Sequence, residues 1–221
     1  MGKDKLRRFA ENETFPNMFQ EQYEQIKEEG GFHLKGKWKE EFFKNNNPLV
    51  LELGCGKGEY TVGLAKKYPN KNFIGIDIKG ARMWRGCKTS IDEGMSNVAF
   101  VRTHVQLIDM YFGENEVDEI WITFPDPQLK KPNKRLTCPR FLERYKRVLK
   151  KNGIMNLKTD SFELYDYTLN EVLLPNNNKI HFHASDLYNS GFDDDVIDIK
   201  TFYEGIYLQQ GKPITYIKFE L

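Results

Sequence analysis

The feature that most constrains the fold is a regular alternation of short apolar segments with amphipathic ones, which begins after Pro48. The segments PLVLEL, NFIGIDI and NVAFVRT are short and almost continuously apolar, as is typical of strands buried on both faces. The segments EYTVGLAKKY and GARMWRGCKTSIDEG, which separate them, are helix-like. Strands alternating with helices indicate βαβ units, and right-handed crossovers then place helices on both faces of the sheet.

We therefore predict an α/β fold with a doubly wound, mostly parallel seven-stranded sheet and a helical N-terminal extension. Residues 1–47 are polar and helix-prone and carry no strand signal. Met18, Phe19, Tyr23 and Ile26 follow one another there at helical spacing. Residues 48–221 are expected to form the main domain.

A later helix is predicted to begin at Pro139, a residue that fits the first helical position. Its apolar stripe includes Phe141, Tyr145 and Leu149, and the pair Asn152-Gly153 is expected to end it.

Composition excludes several classes of protein. In 221 residues, 39% hydrophobic and 14% aromatic residues supply enough apolar surface for a core, which argues against a disordered chain. No run approaches the roughly 20 apolar residues of a membrane span, and the N-terminus lacks the apolar stretch of a secretory signal. The three cysteines form no C-x-x-C pair. We therefore expect a cytoplasmic protein without disulfides, metal or membrane contact.

Charge is balanced in total but not along the chain. There are 33 basic and 32 acidic residues, a net charge of +1. Residues 130–151 contain ten Lys or Arg against the single acid Glu143, whereas residues 160–204 are strongly acidic. A polyanion responds to the local field, so the basic block predicts a nucleic-acid partner. The acidic stretch Asp193–Asp195 is interpreted as a solvated loop.

The first predicted strand ends in a glycine-rich turn, Gly54-Cys55-Gly56-Lys57-Gly58, directly after Glu52. Glycines allow a sharp turn and a close approach of a ligand to the backbone. The spacing is not that of a dinucleotide fingerprint, and Glu52 would repel a diphosphate but not a net-cationic ligand. These residues favour S-adenosylmethionine over NAD; the alternative is a turn whose glycines serve packing alone.

Two further strand ends carry acids. Asp77 follows the second strand, where an acid accepts hydrogen bonds from ribose hydroxyls, although it could instead cap a helix. Asp126 lies between Pro125 and Pro127 at the end of the fourth strand, a rigid presentation that suits a residue holding a substrate. A basic loop follows directly, with Lys130, Lys131, Lys134 and Arg135 as candidate phosphate ligands; the alternative is a solvated helix face.

Weaker candidates lie elsewhere. Asp160 ends the fifth strand and could either cap the next helix or contact substrate. The stretch Thr201, Phe202, Tyr203 and Glu204 is expected in a loop before the final strands. His104 follows the third strand, where an adenine would lie.

In their order, LELGCGKGEY, FIGID, FPDP with its Lys-rich tail, LKTD and TFYE resemble the bacterial tRNA (guanine-N7)-methyltransferase family over about residues 51–204. The glycine motif alone indicates only a class I methyltransferase with a Rossmann-like sheet, whereas FPDP with the basic run is more specific. The resemblance implies methyl transfer from S-adenosylmethionine to guanine N7 in the variable loop of tRNA. We expect the chain to act as a monomer or homodimer.

By matching motif, the resemblance assigns Glu52, Gly54, Gly56, Gly58, Asp77, His104 and Asp126 to the methyl donor. Asp126 is also assigned to catalysis. It further assigns Lys130, Asp160 and Thr201, Phe202, Tyr203 and Glu204 to the tRNA guanosine. The chain departs from the family pattern at Gln128, where Trp is usual, and at His104, where an acid or amide is usual.

Three alternatives remain at this point. The chain could methylate another RNA or nucleobase, it could be an NAD-dependent oxidoreductase on the same sheet, or it could be an RNA-binding subunit without catalysis. The glycine spacing and Glu52 count against the second, and the combination of a donor pocket with Asp126 counts against the third.

Overall fold

The computed structural model describes residues 2–192 and 194–221, and these form one mixed sheet with helices on both faces. The strands are β1 (Met18–Phe19), β2 (Leu49–Leu53), β3 (Asn72–Asp77), β4 (Val98–Arg102), β5 (Val117–Thr123), β6 (Leu149–Thr159), β7 (Ile180–Ala184) and β8 (Thr215–Glu220). The helices are α1 (Gly2–Asn12), α2 (Tyr23–Glu28), α3 (Glu59–Lys67), α4 (Gly80–Asp92), α5 (Ile108–Tyr111), α6 (Pro139–Val148), α7 (Phe162–Asp166) and α8 (Phe202–Gln209).

Shorter turns complete the described secondary structure. Trp38–Phe42 and Tyr167–Leu173 form wide π-helical turns, and the second of these continues α7. Val105–Leu107, Pro132–Lys134 and Asp195–Ile197 form 3₁₀ turns. Among the described residues, no helix combines the length and the apolar character that a bilayer span requires.

The strand order is β1-β4-β3-β2-β5-β6-β8-β7. All neighbours from β1 to β6 are parallel, while β8 is antiparallel to both β6 and β7. The chain crosses from β2 to β3 on one side and later places β5 on the other side. This reversal next to β2 is the position where doubly wound sheets bind ligands, beyond the carboxyl ends of the strands. The predicted α/β, doubly wound architecture is confirmed.

Successive residues of β2 point to opposite faces, as the pleat requires. Leu49, Leu51 and Leu53 pack in a core with α5, α6 and α7, whereas Val50 packs on the other face with α3 and α4. Glu52 shares the face of Val50, so its carboxylate is directed toward α3. The binding position is thus set by the strand before any ligand is considered.

The prediction of seven strands is wrong, because Met18 and Phe19 form an eighth. Their register partners are Phe100 and Val101 in β4, and Asn17 O accepts from Phe100 N at 2.8 Å. The helix expected from Met18 starts only at Tyr23. A strand of two residues is too short to show alternation, so only the pairing with β4 reveals it.

The segment 1–47 also supplies Ile26, Phe32 and Trp38 to the core shared with β2. The division of the chain at residue 48 stays a prediction.

The expected end of the sixth helix is also wrong. The helix stops at Val148, and Leu149 already pairs with Val117 in the sheet. Asn152, with φ +62°, therefore lies in an irregular part of β6, where the pairing of β5 with β6 shifts register. Leu149 fits a helical stripe and a buried strand equally well, and the neighbouring strand decides between them.

In the acidic stretch, Asp193 lies outside the described residues. Asp194 accepts from Val196 N at 3.1 Å and lies 3.4 Å from the Lys218 ammonium.

Candidate active site

The glycine turn connects β2 to α3 and has an open surface. Gly54 and Gly56 adopt φ values of +77° and +57°, and a Cβ atom at either would meet no atom within 4 Å. A ligand can therefore approach the backbone there without a clash. Gly58 differs, because a Cβ atom there would lie 2.6 Å from the Phe100 ring. The close packing of the turn on β4 requires this glycine.

Asp77 joins the end of β3 to the glycine turn. Its Oδ2 accepts from Gly56 N at 2.9 Å, and its Oδ1 accepts from Lys79 N at 2.8 Å. A carboxylate offers about four lone-pair positions, so each oxygen keeps one for a further donor. Asp77 is half-buried at the carboxyl end of its strand. It can hold the turn and still accept from a pair of hydroxyls.

Glu52 is a buried carboxyl, only 4% exposed. Its Oε2 accepts from both the amide and the hydroxyl of Thr61, and its Oε1 accepts from the Thr123 hydroxyl at 2.5 Å. Burial raises the pKa of Glu52 to about 7, against the opposing effect of these donors, and the nearby Asp77 raises it further. Glu52 thus connects the glycine turn, α3 and β5 through one titratable group.

A cavity of about 120 Å³ lies above these groups. One wall belongs to the glycine turn and the start of α3, and the other to the end of β5 and the start of α8. Its lining includes these residues of the predicted site: Glu52, Gly54, Gly56, Thr201 and Tyr203. Cys55, Lys57, Glu59, Tyr60, Arg82, Thr123 and Phe124 complete the lining; Gly58, Asp77, His104 and Asp126 are not part of it.

Asp126 lies on a strained turn after β5. Phe124 and Gln128, on either side of the turn, both have φ +47°, a left-handed conformation that is costly for residues other than glycine. The Asp126 side chain is exposed, and its Oδ1 accepts from Gln128 N at 3.0 Å. Phe124 N donates to the carbonyl of Lys158 at 2.8 Å. The carboxylate is therefore held at a fixed place while remaining accessible.

The prediction that Arg135 is a phosphate ligand is contradicted, because only 7% of this residue is exposed. Its Nε donates to the Pro127 carbonyl at 3.1 Å, and its guanidinium lies 4.2 Å from the centre of the Tyr167 ring. Arg135 therefore anchors the turn that presents Asp126. Lys130, Lys131 and Lys134 are exposed, as phosphate contacts require.

The prediction that residues 201–204 form a loop is also wrong, since Thr201 caps α8 and residues 202–204 form its first turn. Thr201 accepts from Glu204 N at 3.2 Å, and Glu204 accepts in return from Thr201 N at 3.3 Å, which makes a capping box. Phe202 N donates to Glu59 at 3.0 Å, and Lys57 lies 4.6 Å from the centre of the Phe202 ring. The first turn of α8 thus lies against the glycine turn.

Glu204 is fully buried, which contradicts a direct contact with substrate. It lies 2.6 Å from the Lys158 ammonium and accepts from the Tyr188 hydroxyl at 2.7 Å. Burial lowers the pKa of Lys158, against the opposing effect of Glu204. Lys158 also donates to the carbonyls of Val196 and Ile199. The pair fixes α8 to β6, so Glu204 positions Thr201 and Tyr203.

Lys158 is not among the residues that the sequence predicts for the site. A lysine inside the apolar segment IMNLKT was the available signal, since a strand buried on both faces accepts a charge only when it is paired. The acid that pairs with it could not be identified from local pattern, because Glu204 is distant in the chain.

Asp160 and His104, two further residues predicted for the site, make fewer contacts with it. Asp160 is half-buried, and the α7 cap is Ser161, which accepts from Leu164 N at 3.2 Å, so Asp160 does not cap this helix. Burial raises the pKa of Tyr207 on α8, and the charge of Asp160 raises it further. His104 is exposed, and its carbonyl accepts from Leu107 N at 2.9 Å. The two residues lie at the carboxyl ends of β6 and β4.

Comparison with known proteins adds to this geometry. The model of the family Methyltransf_4, described as "Putative methyltransferase", matches residues 46–216. A curated tRNA (guanine-N(7)-)-methyltransferase of Christiangramia forsetii is 57% identical over 99% of this chain and 98% of its own length. A protein of the same name from Bacteroides fragilis is 52% identical over 100% of this chain and 87% of its own length.

Solved structures agree on the fold. The 16S rRNA methyltransferase KamB superposes with a TM-score of 0.64 at 14% identity, over 82% of this chain and 91% of its own. A SAM-dependent methyltransferase from Aquifex aeolicus superposes with a TM-score of 0.54 at 18% identity, over 89% and 88% of the two chains. At such identities the likeness extends to the fold alone.

Proposed function

The chain belongs to the tRNA (guanine-N7)-methyltransferase family, and from this premise we propose that it transfers a methyl group from S-adenosylmethionine to N7 of a guanine in the variable loop of tRNA. The observation that carries the proposal is the adjacency of two strand ends. Leu53, which precedes the glycine turn, is paired with Ile122, and the turn of Asp126 begins two residues later. A donor pocket and an exposed carboxylate thus follow neighbouring parallel strands.

The residues present fit S-adenosylmethionine. The surface at Gly54 and Gly56 is open where a Cβ atom would stand, and Asp77 keeps lone pairs for the two ribose hydroxyls. Glu52 supplies an acid at the cavity that suits a net-cationic ligand. When bound, this cofactor supplies a methyl carbon activated by a positively charged sulfur.

The remaining work of the chain is positioning and electrostatics. Guanine N7 carries an in-plane lone pair and no proton, so no residue has to act as a general base before transfer. Asp126 accepts hydrogen bonds from the guanine N–H groups and holds the base in place. Its negative charge also stabilises the positive charge that methylation leaves on the ring.

Other side chains hold the rest of the tRNA. Lys130, Asp160, Thr201, Phe202 and Tyr203 contact the guanosine. Lys131 and Lys134 contact neighbouring phosphates, which makes affinity depend on salt concentration. Glu204 and Arg135 act behind this surface, as positioning residues. His104 presents its backbone near the adenine.

We further propose that tRNA is the macromolecular partner, that the chain acts in the cytoplasm, and that it works as a monomer or homodimer. Sedimentation analysis of the purified protein with and without tRNA tests the last point, and a stable tetramer would contradict it.

The decisive experiment follows a labelled methyl group from S-adenosylmethionine into bulk tRNA. Nucleoside analysis should yield 7-methylguanosine, and chemical cleavage at that nucleoside should map to the variable loop. Label in another nucleoside, or at another loop, would contradict the assignment. Calorimetric titration with S-adenosylmethionine and with NAD distinguishes the methyltransferase from the NAD-dependent oxidoreductase alternative. We expect S-adenosylmethionine to bind and NAD not to bind.

A further inference from the structure

A second concave surface lies beside the donor cavity. It is a groove of about 580 Å³ between α3 and α4, bordered by α1. Among the described residues its lining carries five cationic side chains and one acid: Arg8, Lys57, Lys66, Arg82 and Arg85, with Glu59. Apart from Gly58, none of the residues assigned above to donor, guanosine or phosphate lines it. We call this surface the α3–α4 groove.

Trp84 organises the cations at one end of the α3–α4 groove. The guanidinium carbons of Arg8, Arg7 and Arg85 lie 4.9, 5.3 and 5.8 Å from its ring. The indole itself is 7% exposed and donates to Glu11 at 2.6 Å, so it cannot rotate freely. A guanidinium held against a ring keeps its N–H groups available for a second partner.

The charge of the α3–α4 groove is only partly neutralised within the protein. Lys66 pairs with Glu93 at 2.8 Å, and Lys57 lies 3.9 Å from Glu59. Arg82 and Arg85 are exposed, and neither forms a salt bridge with any residue that the structure describes. Arg8 is partly satisfied within the protein, because it lies 3.9 Å from Asp4 and donates to the Ala81 carbonyl at 3.5 Å, while its Nε is buried without a hydrogen-bond partner among the described residues. The exposed guanidinium groups of Arg82 and Arg85 are therefore the ones available to an external anion.

The position of the α3–α4 groove relates it to the methyl-transfer site. Lys57, Glu59 and Arg82 line both the groove and the donor cavity. The helix α4 follows β3, whereas the basic loop follows β5, and β2 lies between these two strands. Cations therefore flank the donor cavity on both sides. A base presented at Asp126 would leave backbone phosphates in reach of each side.

We propose that the α3–α4 groove binds backbone phosphates of the tRNA on the side of the donor cavity away from the basic loop. This inference rests on the proposed function. The cations are distributed over α1, the glycine turn, α3 and α4 around an open groove of about 580 Å³, which fits successive phosphates better than one small anion. Arg85 provides the key contact, because Trp84 orients it and no acid among the described residues pairs with it.

The test compares Arg85→Ala with Lys88→Ala. Lys88 lies on the same helix, pairs with Asp92 at 3.5 Å and does not line the groove, so both variants lose one charge from α4. The dissociation constant for unmodified tRNA is measured at several salt concentrations. Calorimetry with S-adenosylmethionine and with inorganic phosphate runs in parallel.

We expect Arg85→Ala to weaken tRNA binding about tenfold and to reduce the slope of log K against log salt by about one, with an unchanged affinity for S-adenosylmethionine. Lys88→Ala should resemble the wild type. Equal tRNA affinities and salt slopes for the two variants would overturn the proposal that the groove binds tRNA, but not the proposed function. The same conclusion would follow if Arg85→Ala abolished binding of inorganic phosphate and left the salt slope for tRNA unchanged. A wild-type protein that binds no tRNA would overturn the groove and the proposed function together.

Discussion

The candidate site has two walls that differ in where their polar side chains point: a donor wall with Glu52 and Asp77, next to the proposed methyl-donor pocket, and an acceptor wall with Asp126 and Lys130, where we propose that the tRNA binds. On the donor wall, Glu52 and Asp77 direct their oxygens to the protein, where threonine hydroxyls and backbone amides bind them. On the acceptor wall, Asp126 and Lys130 are exposed, and the turn that precedes Lys130 is held from behind: Arg135 donates to the Pro127 carbonyl, and Phe124 N donates to the Lys158 carbonyl. A small ligand suits a preformed pocket, while a macromolecule needs polar groups that remain free.

This comparison predicts which substitutions change activity and which change stability. On the acceptor wall, substitution of an exposed residue such as Asp126 should reduce activity without changing the free energy of unfolding. Substitution of a buried residue such as Arg135 or Lys158 should mainly lower the free energy of unfolding. On the donor wall, Glu52 combines the two roles.

The largest effect is expected behind the acceptor wall. Lys158→Met leaves Glu204 buried without its cation, which should lower the free energy of unfolding by about 3–5 kcal/mol. Urea denaturation measures this. The double variant Lys158→Met/Glu204→Gln, which removes both charges, should recover most of the loss. A single variant within about 1 kcal/mol of wild type would show that the pair does not hold α8 in place.

In front of the acceptor wall, Asp126→Ala should reduce methylation about 10³-fold, or about 4 kcal/mol, because it removes the carboxylate that we propose holds the guanine. The affinity for S-adenosylmethionine and the urea midpoint should stay at wild-type values, since Asp126 is exposed and does not line the cavity. Single-turnover transfer of a labelled methyl group provides the measurement. Near-normal turnover would remove the catalytic assignment.

On the donor wall, the pKa of Glu52 of about 7 makes stability depend on pH. The ordinary value is 4.5, so between these values the folded protein binds more protons than the unfolded chain. The free energy of unfolding should therefore fall as pH rises from 4.5 through 7, by up to about 3 kcal/mol from this group. Glu52→Gln cannot ionise and should lack this part of the fall. Parallel pH profiles for the two proteins would contradict the raised pKa.

The smallest effect is expected for substitutions at Arg135 and Lys134, two neighbouring residues of the basic loop. Arg135→Met removes the buried donor to Pro127 and should cost about 2 kcal/mol of stability, with little change in the salt dependence of tRNA binding. Lys134→Met is the matched control and should do the reverse: unchanged stability and a salt slope smaller by about one. If Arg135→Met lowers the slope instead, this residue contacts phosphate after all.

Several parts of the site could be predicted because they depend on short-range pattern. The apolar run Leu49–Leu53 followed by glycines identifies a strand and its turn, and the same holds for Asp77 after β3. Chain order and crossover handedness then bring the carboxyl ends of parallel strands together. These two rules are sufficient to predict that Asp126 lies beyond the carboxyl end of β5.

Other parts could not be predicted, because their partners are distant in sequence. Met18 and Phe19 become a strand only through β4, and Arg135 is buried against the ring of Tyr167, which is distant in the chain. The exposure of a lysine or arginine in a basic run is a property of the packed molecule, so Lys134 and Arg135 look alike in sequence.

The sequence by itself determined the α/β architecture and the strand ends that carry Glu52, Asp77 and Asp126, because periodicity and glycine placement act within a few residues. Tertiary structure alone decided which of the polar residues are exposed at the candidate site and which are buried behind it, as with Lys158 and Glu204. Burial of a charge depends on a partner brought close by the fold, and no local pattern encodes that encounter.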